Sequence, residues 1–324
     1  MTSYLEAGVD LEAADRHVDS IAGAVTATWG SGVTGGFGGF AAGVRLPAGM
    51  TDPVLMMTTD GVGTKLDLAR RTGRWEGVGL DLVAMCVDDL ATVGARPIGF
   101  VDYLAVGSLR AERDREIVAS IADACSAAGC PLLGGETAEH PGVMEQDAVD
   151  LAGAALGVVE ADSVLGPERV GAGDAIVGLV SPNPRSNGFS LIRSVLGEDV
   201  LSHAEALLAP SVIYSPAVMA TVAVGGVHAA AHVTGGGIAL NLARALPDGL
   251  GAVLDTSTWD RPAIFDAIAA RGVPDAEMRR TFNLGIGFCL VVADDAVGSV
   301  LQSAAEHSPR VIGHVGPGSG VTLA

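Results

Sequence analysis

Short apolar runs that stop at clusters of glycine recur along the whole chain, and several of these clusters lead straight into a helix-like run. PVLMMTT is followed by DGVG and KLDLARR (53–71), PLL by GGETAEHPG (131–142), and VHAAAHV by TGGG and IALNLARAL (227–246). Apolar runs of strand length that alternate with amphipathic stretches are the pattern of a protein built from both sheets and helices. Glycine makes up 45 of the 324 residues, about twice its usual share, and shows no fixed period. Glycine clusters between apolar runs mark loops where the backbone must come close to something.

A chain of this length predicts two domains, at one per ~150 residues. Strands are expected at 53–59, 98–106, 131–133 and 149–159, with helices at 13–26, 65–71, 79–93 and 111–128. A stretch rich in Gly, Asp and Pro at 160–173 breaks the chain. Beyond it come strands at 175–180, 227–233, 251–254, 284–293 and 310–315, and helices at 189–196, 215–224, 238–246, 262–270 and 294–307. The expected class is α/β of the α+β type, with domains at 1–165 and 166–324.

The formal charge of −19 repels phosphates in general, which excludes nucleic acid and anionic membrane as partners. A phosphate ligand must then be held locally, by backbone N–H groups, a few cations or a metal. No apolar run reaches the ~18 residues of a membrane span, and the acidic N-terminus lacks a secretory pattern. The four cysteines show neither CxxC nor zinc spacing and read as buried free thiols. Together these features predict a cytoplasmic protein.

The loop TTDGVGTK holds Lys65, the only lysine beside eighteen arginines. It is neither a Walker loop nor a dinucleotide fingerprint. Its chemistry still suits a nucleotide. Asp60 at a strand end can hold Mg²⁺. Gly61 and Gly63, with Thr64, let N–H groups face an anion ahead of a helix. Lys65 adds a point cation. The structural alternative is an Asp–Gly turn with a solvated lysine.

In DLVAMCVDDL, Asp81 and Asp88 lie two helical turns apart on one face, and Asp89 points about 100° away from Asp88. An aspartate on an apolar helix face costs energy unless it is paired or bound to metal. GGETAEHPG offers Gly135, Glu136 and Thr137 to a metal or nucleotide. In the second half, Arg185, Ser186, Asn187 and Gly188 open one helix, and Thr234, Gly235, Gly236 and Gly237 open another. Both are anion-binding geometries. His232 beside the latter is a candidate ligand or acid–base group. RTFNLGIGF adds a cation and the Asn283 amide.

The motifs DGVGTKLDLA, GLDLVAMCVDDL, GARPIGFVDYLAVG, LLGGETAEHPG, DLAGAALGVVE, SNGFSLIR, HVTGGG and RTFNLGIGF occur in the order seen in the phosphoribosylformylglycinamidine cyclo-ligases, the aminoimidazole ribonucleotide synthetases, which the chain resembles over nearly its whole length. The resemblance implies a two-domain fold whose N-terminal domains pair their sheets in a homodimer. It implies a small-molecule ribonucleotide substrate, ATP and Mg²⁺, and ring closure of formylglycinamidine ribonucleotide to aminoimidazole ribonucleotide. The implied roles are Asp60 and Asp89 on Mg²⁺ and Lys65 on the triphosphate, with Asp60, Lys65 and His232 in catalysis. Gly61, Gly63, Thr64, Gly135, Glu136 and Thr137 would bind the nucleotide. Residues 185–188, 234–237 and Asn283 would hold the ribonucleotide. Several positions depart from the pattern. Asp88 replaces a usual Asn and Arg185 a usual His, Val212 stands where Thr-Arg is common, and Leu5 and Ala22 stand where lysine is common. The alternatives are a paralogous ATP-dependent enzyme of the same superfamily and a non-catalytic ATP-binding dimer.

Overall fold

The computed structural model describes residues 8–324; Leu5 and the first seven residues of the expected N-terminal domain lie outside them. Helix α1 (Leu11–Ala27) starts at Asp10, whose carboxylate accepts the Ala13 N–H at 3.0 Å. A two-strand hairpin follows, β1 (Val33–Thr34) with β2 (Gly43–Val44), enclosing the glycine-rich loop.

A four-stranded sheet of order β3-β6-β4-β5 comes next, from β3 (Pro53–Gly61), β4 (Arg96–Val106), β5 (Leu132–Glu139) and β6 (Val149–Glu160). The helices α2 (Lys65–Thr72), α3 (Val78–Thr92) and α4 (Ala111–Ala127) are interleaved with these strands. One face of the sheet is covered; Leu82, Cys86 and Phe100 lie in the core beneath it. On the other face Leu55, Met57, Val101 and Tyr103 are exposed. GGETAE is strand rather than the expected loop, because β5 pairs in parallel with β4 from Phe100–Leu132 to Val106–Glu139.

The second sheet has the order β12-β9-β11-β7-β10-β8. It is built from β7 (Ala175–Val180), β8 (Val227–His232), β9 (Leu250–Leu254), β10 (Ile286–Val292), β11 (Arg310–Pro317) and β12 (Gly320–Leu323). The helices of this half are α5 (Phe189–Leu196), α6 (Ala204–Leu208), α7 (Ser215–Val224), α8 (Gly237–Ala243), α9 (Ala263–Ala269), α10 (Asp275–Thr281) and α11 (Val297–Ser303); α7, α8 and α11 pack with the sheet, whereas α5, α6 and α9 join the core of the first half. The helix expected at 294–307 is α11 between two 3₁₀ turns. Helix α10 and strand β12 are not among the expected elements.

Helix α3 joins the halves. It is buried along almost its whole length. It approaches α4 so closely that a Cβ on Gly79 would fall 2.2 Å from Ser120 Oγ. Its other side meets β8 and α7 of the second half. Among the described residues no helix is long and apolar enough to cross a membrane. All four cysteines are free and buried, and burial pushes the Cys130 and Cys289 thiols up to about 12.

Candidate functional site: a cleft along helix α3

Asp60 is the penultimate residue of β3, just before the chain turns through Val62 and Gly63. Its carboxylate accepts the Gly61 N–H at 2.7 Å. Burial, and then the nearby charge of Asp89, hold its carboxyl above the ordinary range against the pull of that N–H and of His232. Asp89, late in α3, accepts from the Thr58 hydroxyl at 3.2 Å and faces His232 Nδ1 at 2.8 Å. His232 ends β8 with its ring buried over Phe288. An ionised Asp89 takes a proton donor at Nδ1, which leaves the lone pair on Nε2. That Nε2 is buried without a partner among the described residues. Thr58, Asp89, His232 and Arg244 line a cavity of about 390 Å³ between the halves.

The two glycine loops of the second half come together beside this cleft. Asn187 Oδ1 accepts the Gly235 N–H at 3.1 Å, and the Thr64 and Ser190 hydroxyls meet at 3.2 Å. The loops 61–64, 186–188 and 234–237 therefore form one rim. Glycine is required at two points of it. A Cβ on Gly188 would sit 2.2 Å from the Phe282 ring, and one on Gly237 1.9 Å from the Arg279 carbonyl oxygen.

Three expected ligands turn inward instead. Lys65 is fully buried, with Nζ 2.7 Å from Asp81 and donating to the carbonyls of Arg185 and Ala209 at 3.2 and 3.1 Å. Burial pushes its ammonium down and the Asp81 charge opposes this. Arg185 is buried on Asp88 at 2.6 Å and donates to the Val212 and Gly287 carbonyls. Asn283 is buried, bracing Ser181 and the Asn183 carbonyl. For Lys65 and Arg185 the cause lies in α3. Asp81 and Asp88 share its buried face, and buried carboxylates need cations. Asp88 also accepts the Tyr214 and Ser215 N–H groups, both at 2.8 Å. Asp89, partly exposed, is the acid that faces the cleft.

Gly135, Glu136 and Thr137 lie elsewhere, on β5, the sheet edge opposite β3. Three strand spacings, about 14 Å, separate these edges. With α1 and residues 36–42 they line a cavity of about 570 Å³. One row crosses the sheet through Asp60, Gly153, Asp102 and Gly135. The Asp102 carboxylate leans over Gly135, where a Cβ would fall 2.2 Å from its oxygen. Burial pushes its carboxyl up to about 7. His17 Nε2 meets the Thr137 hydroxyl at 3.2 Å. Asp102, His17, Thr58 and Arg244 are among the lining residues that the sequence reading missed. Only Asp102 carried a signal, as the single acid inside the apolar run IGFVDYLAV.

Among the described residues no group of three or more His, Cys, Asp or Glu is placed to hold a metal. The AIR synthase related protein N-terminal domain family matches residues 40–159, and its C-terminal domain family matches residues 171–324. The chain is 46% identical over 330 aligned positions to the phosphoribosylformylglycinamidine cyclo-ligase of Sorangium cellulosum (strain So ce56), covering 97% of this chain and 95% of the relative. Among solved structures, the thiamine-monophosphate kinase of Stenotrophomonas maltophilia K279a superposes with a TM-score of 0.66 at 20% identity, over 95% and 94% of the two chains. The hydrogenase maturation protein HypE in complex with ATP superposes at 0.64 and 19% identity, over 93% and 83%. These two share the fold. At 46% identity over nearly its full length, the chain belongs to the AIR synthase family, among the phosphoribosylformylglycinamidine cyclo-ligases.

Proposed function

We propose that this chain closes the imidazole ring of aminoimidazole ribonucleotide from formylglycinamidine ribonucleotide, using ATP and releasing ADP and phosphate, in purine biosynthesis. The observation that carries the reading is the Asp89–His232 pair, close enough to Asp60 to shift its carboxyl, with the Asn187 and Gly235 loops bonded to each other after the strand that His232 ends. An amide oxygen leaves poorly. Phosphorylating the substrate's formyl oxygen turns it into a leaving group, and the neighbouring nitrogen attacks the activated carbon as phosphate departs. Such transfer depends mainly on positioning and charge neutralisation.

The Gly236 N–H is the rim donor that suits the ribonucleotide phosphate, since the Asn187 and Gly235 N–H groups are already donated to the Pro184 carbonyl and to Asn187 Oδ1. His232, oriented through Nδ1 by Asp89, offers Nε2 to a proton of the reacting nitrogen. Asp60 and Asp89 are oxygen donors close enough for one charge to raise the other's carboxyl, a donor set that fits Mg²⁺. Bound there, the ion would neutralise phosphate charge.

Residues 1–165 act as the ATP-binding and dimerisation half, and 166–324 as the half that closes over the substrate. The bare apolar face bearing Leu55, Met57, Val101 and Tyr103 pairs with the same face of a second copy. That pairing brings the Gly135–Thr137 edge of one copy toward the Asp60 edge of the other, so that both serve one nucleotide. The buried free thiols fit a reducing cytoplasm.

The test is an assay with ATP, Mg²⁺ and formylglycinamidine ribonucleotide that scores imidazole product and ADP together. Stoichiometric formation of both supports the reading. ATP turnover on another substrate without imidazole product would reject it in favour of a paralogue. Sedimentation at micromolar protein should show a dimer, dispersed by Met57→Glu.

A further inference from the structure

Two departures from the family pattern, Asp88 and Arg185, are partners. Arg185 Nη2 lies 2.6 Å from Asp88 Oδ2, and both side chains are wholly buried. The guanidinium also donates to the Val212 carbonyl at 2.9 Å and the Gly287 carbonyl at 3.3 Å, and lies 4.9 Å from the centre of the Tyr214 ring. The backbone of Arg185 is held as firmly. Its N–H donates to Asn183 Oδ1 at 2.8 Å, and its carbonyl accepts from Lys65 Nζ at 3.2 Å. It keeps a φ of +60°, a conformation that a non-glycine residue holds only when its surroundings impose it.

We propose that Arg185 is a positioning residue. Through Asp88 it fastens the loop carrying Ser186 and Asn187, and the segment 209–215, to helix α3. The same helix presents Asp89 to His232 one residue further on, so the pair fixes the spacing between the ribonucleotide loop and the acid side of the cleft. Arg185 does not reach a phosphate: its Nε is buried without a partner among the described residues, and only its two Nη atoms are bonded, all of them inside the protein. Its side chain is sealed from the cleft.

The inference uses the proposed cyclisation for one readout only. Asp88→Asn, Arg185→His and the double variant are compared with wild type for kcat and for the KM of the ribonucleotide, at a temperature well below each melting point. Amide exchange is followed in residues 184–188 and 209–215 by mass spectrometry. Each single variant should raise that KM by about 10-fold to 100-fold, as small misplacements in a site do. Each should also speed exchange in both segments, and the double variant should be no worse than the stronger single, because the two act through one contact.

A phosphate ligand would behave otherwise. Asp88→Asn would leave KM and exchange unchanged, or the two effects would multiply, and either result overturns the proposal. A fall in kcat alone with unchanged KM would reduce the pair to a folding element and overturns it as well. Where a single variant does not fold, Arg185→Lys supplies the same comparison. It keeps the charge but loses the fork that reaches Val212 and Gly287, so a smaller shift in the same direction is expected. If wild type forms no imidazole product, the proposed function fails, and the exchange data still decide this inference.

Discussion

Replacing Lys65 with methionine tests what the lone lysine does. Lys65 Nζ stands 2.7 Å from Asp81 Oδ2, with side-chain exposures of 1% and 0%. Asp81 Oδ1 is served separately by the Ser211 N–H at 3.0 Å and hydroxyl at 2.6 Å. Methionine keeps the unbranched stem packed near Phe189, so little cavity forms. What is lost is the charge opposite Oδ2. Breaking a buried pair on one side costs about 3–5 kcal/mol, because the remaining ion stays buried without compensation. At about 2–4 °C per kcal/mol for a domain of this size, the melting point should fall by roughly 6–20 °C.

The companion variant Lys65→Met/Asp81→Asn removes both charges, and the asparagine oxygen still accepts from Ser211. It should recover most of the lost melting temperature and, with it, ADP formation. Thermal melting and ADP release on the same samples decide the matter. A Lys65→Met protein that melts within about 2 °C of wild type but makes no ADP would refute the buried-strut reading and return the ammonium to the triphosphate. A double variant that is restored in stability yet inactive would do the same.

Asp60→Asn should abolish ADP formation while the melting point holds or rises, since it removes one of two mutually repelling carboxylates; residual wild-type turnover would deny Asp60 its role. Gly135→Ala forces a Cβ to within 2.2 Å of the Asp102 oxygen, so overpacking should cost about 1–3 kcal/mol in urea unfolding and weaken ATP affinity. The Asp102 carboxyl stands at about 7 when folded, against an ordinary 3.8. The folded state therefore binds this proton more tightly, and the stability it contributes is complete below about pH 4 and lost as pH rises through 7. Asp102→Asn should remove that slope and stabilise the protein at pH 8 by up to about 4 kcal/mol, measured by urea midpoints across the range.

The strand and helix runs were legible because burial on one face or both leaves a period in the sequence. The cores of β3, β4, β6 and β7 and of α1 to α5 lie where the apolar spacing puts them. Strand β5 was read too short because GGETAE has no apolar period. It is strand through its pairing with β4, a contact across more than thirty residues of sequence. Helix α10, DAEMRRT, buries only Met278, too little to print a period.

Charges were harder to read for a different reason. An acid within an apolar face signals a need for a partner, and the partner's position along the chain is set only by the fold. Arg185 lies 97 residues from Asp88, and nothing local links the two. What helix geometry alone could decide was how the acids of α3 divide. Asp81 and Asp88 are seven residues apart on one face, and both are buried against cations. Asp89, one residue and about 100° further round, emerges partly exposed beside His232. A rotation of about 100° separates the acids that fasten the two halves from the acid that faces the cleft. Moving an aspartate by one position along this helix would therefore exchange a structural role for a chemical one.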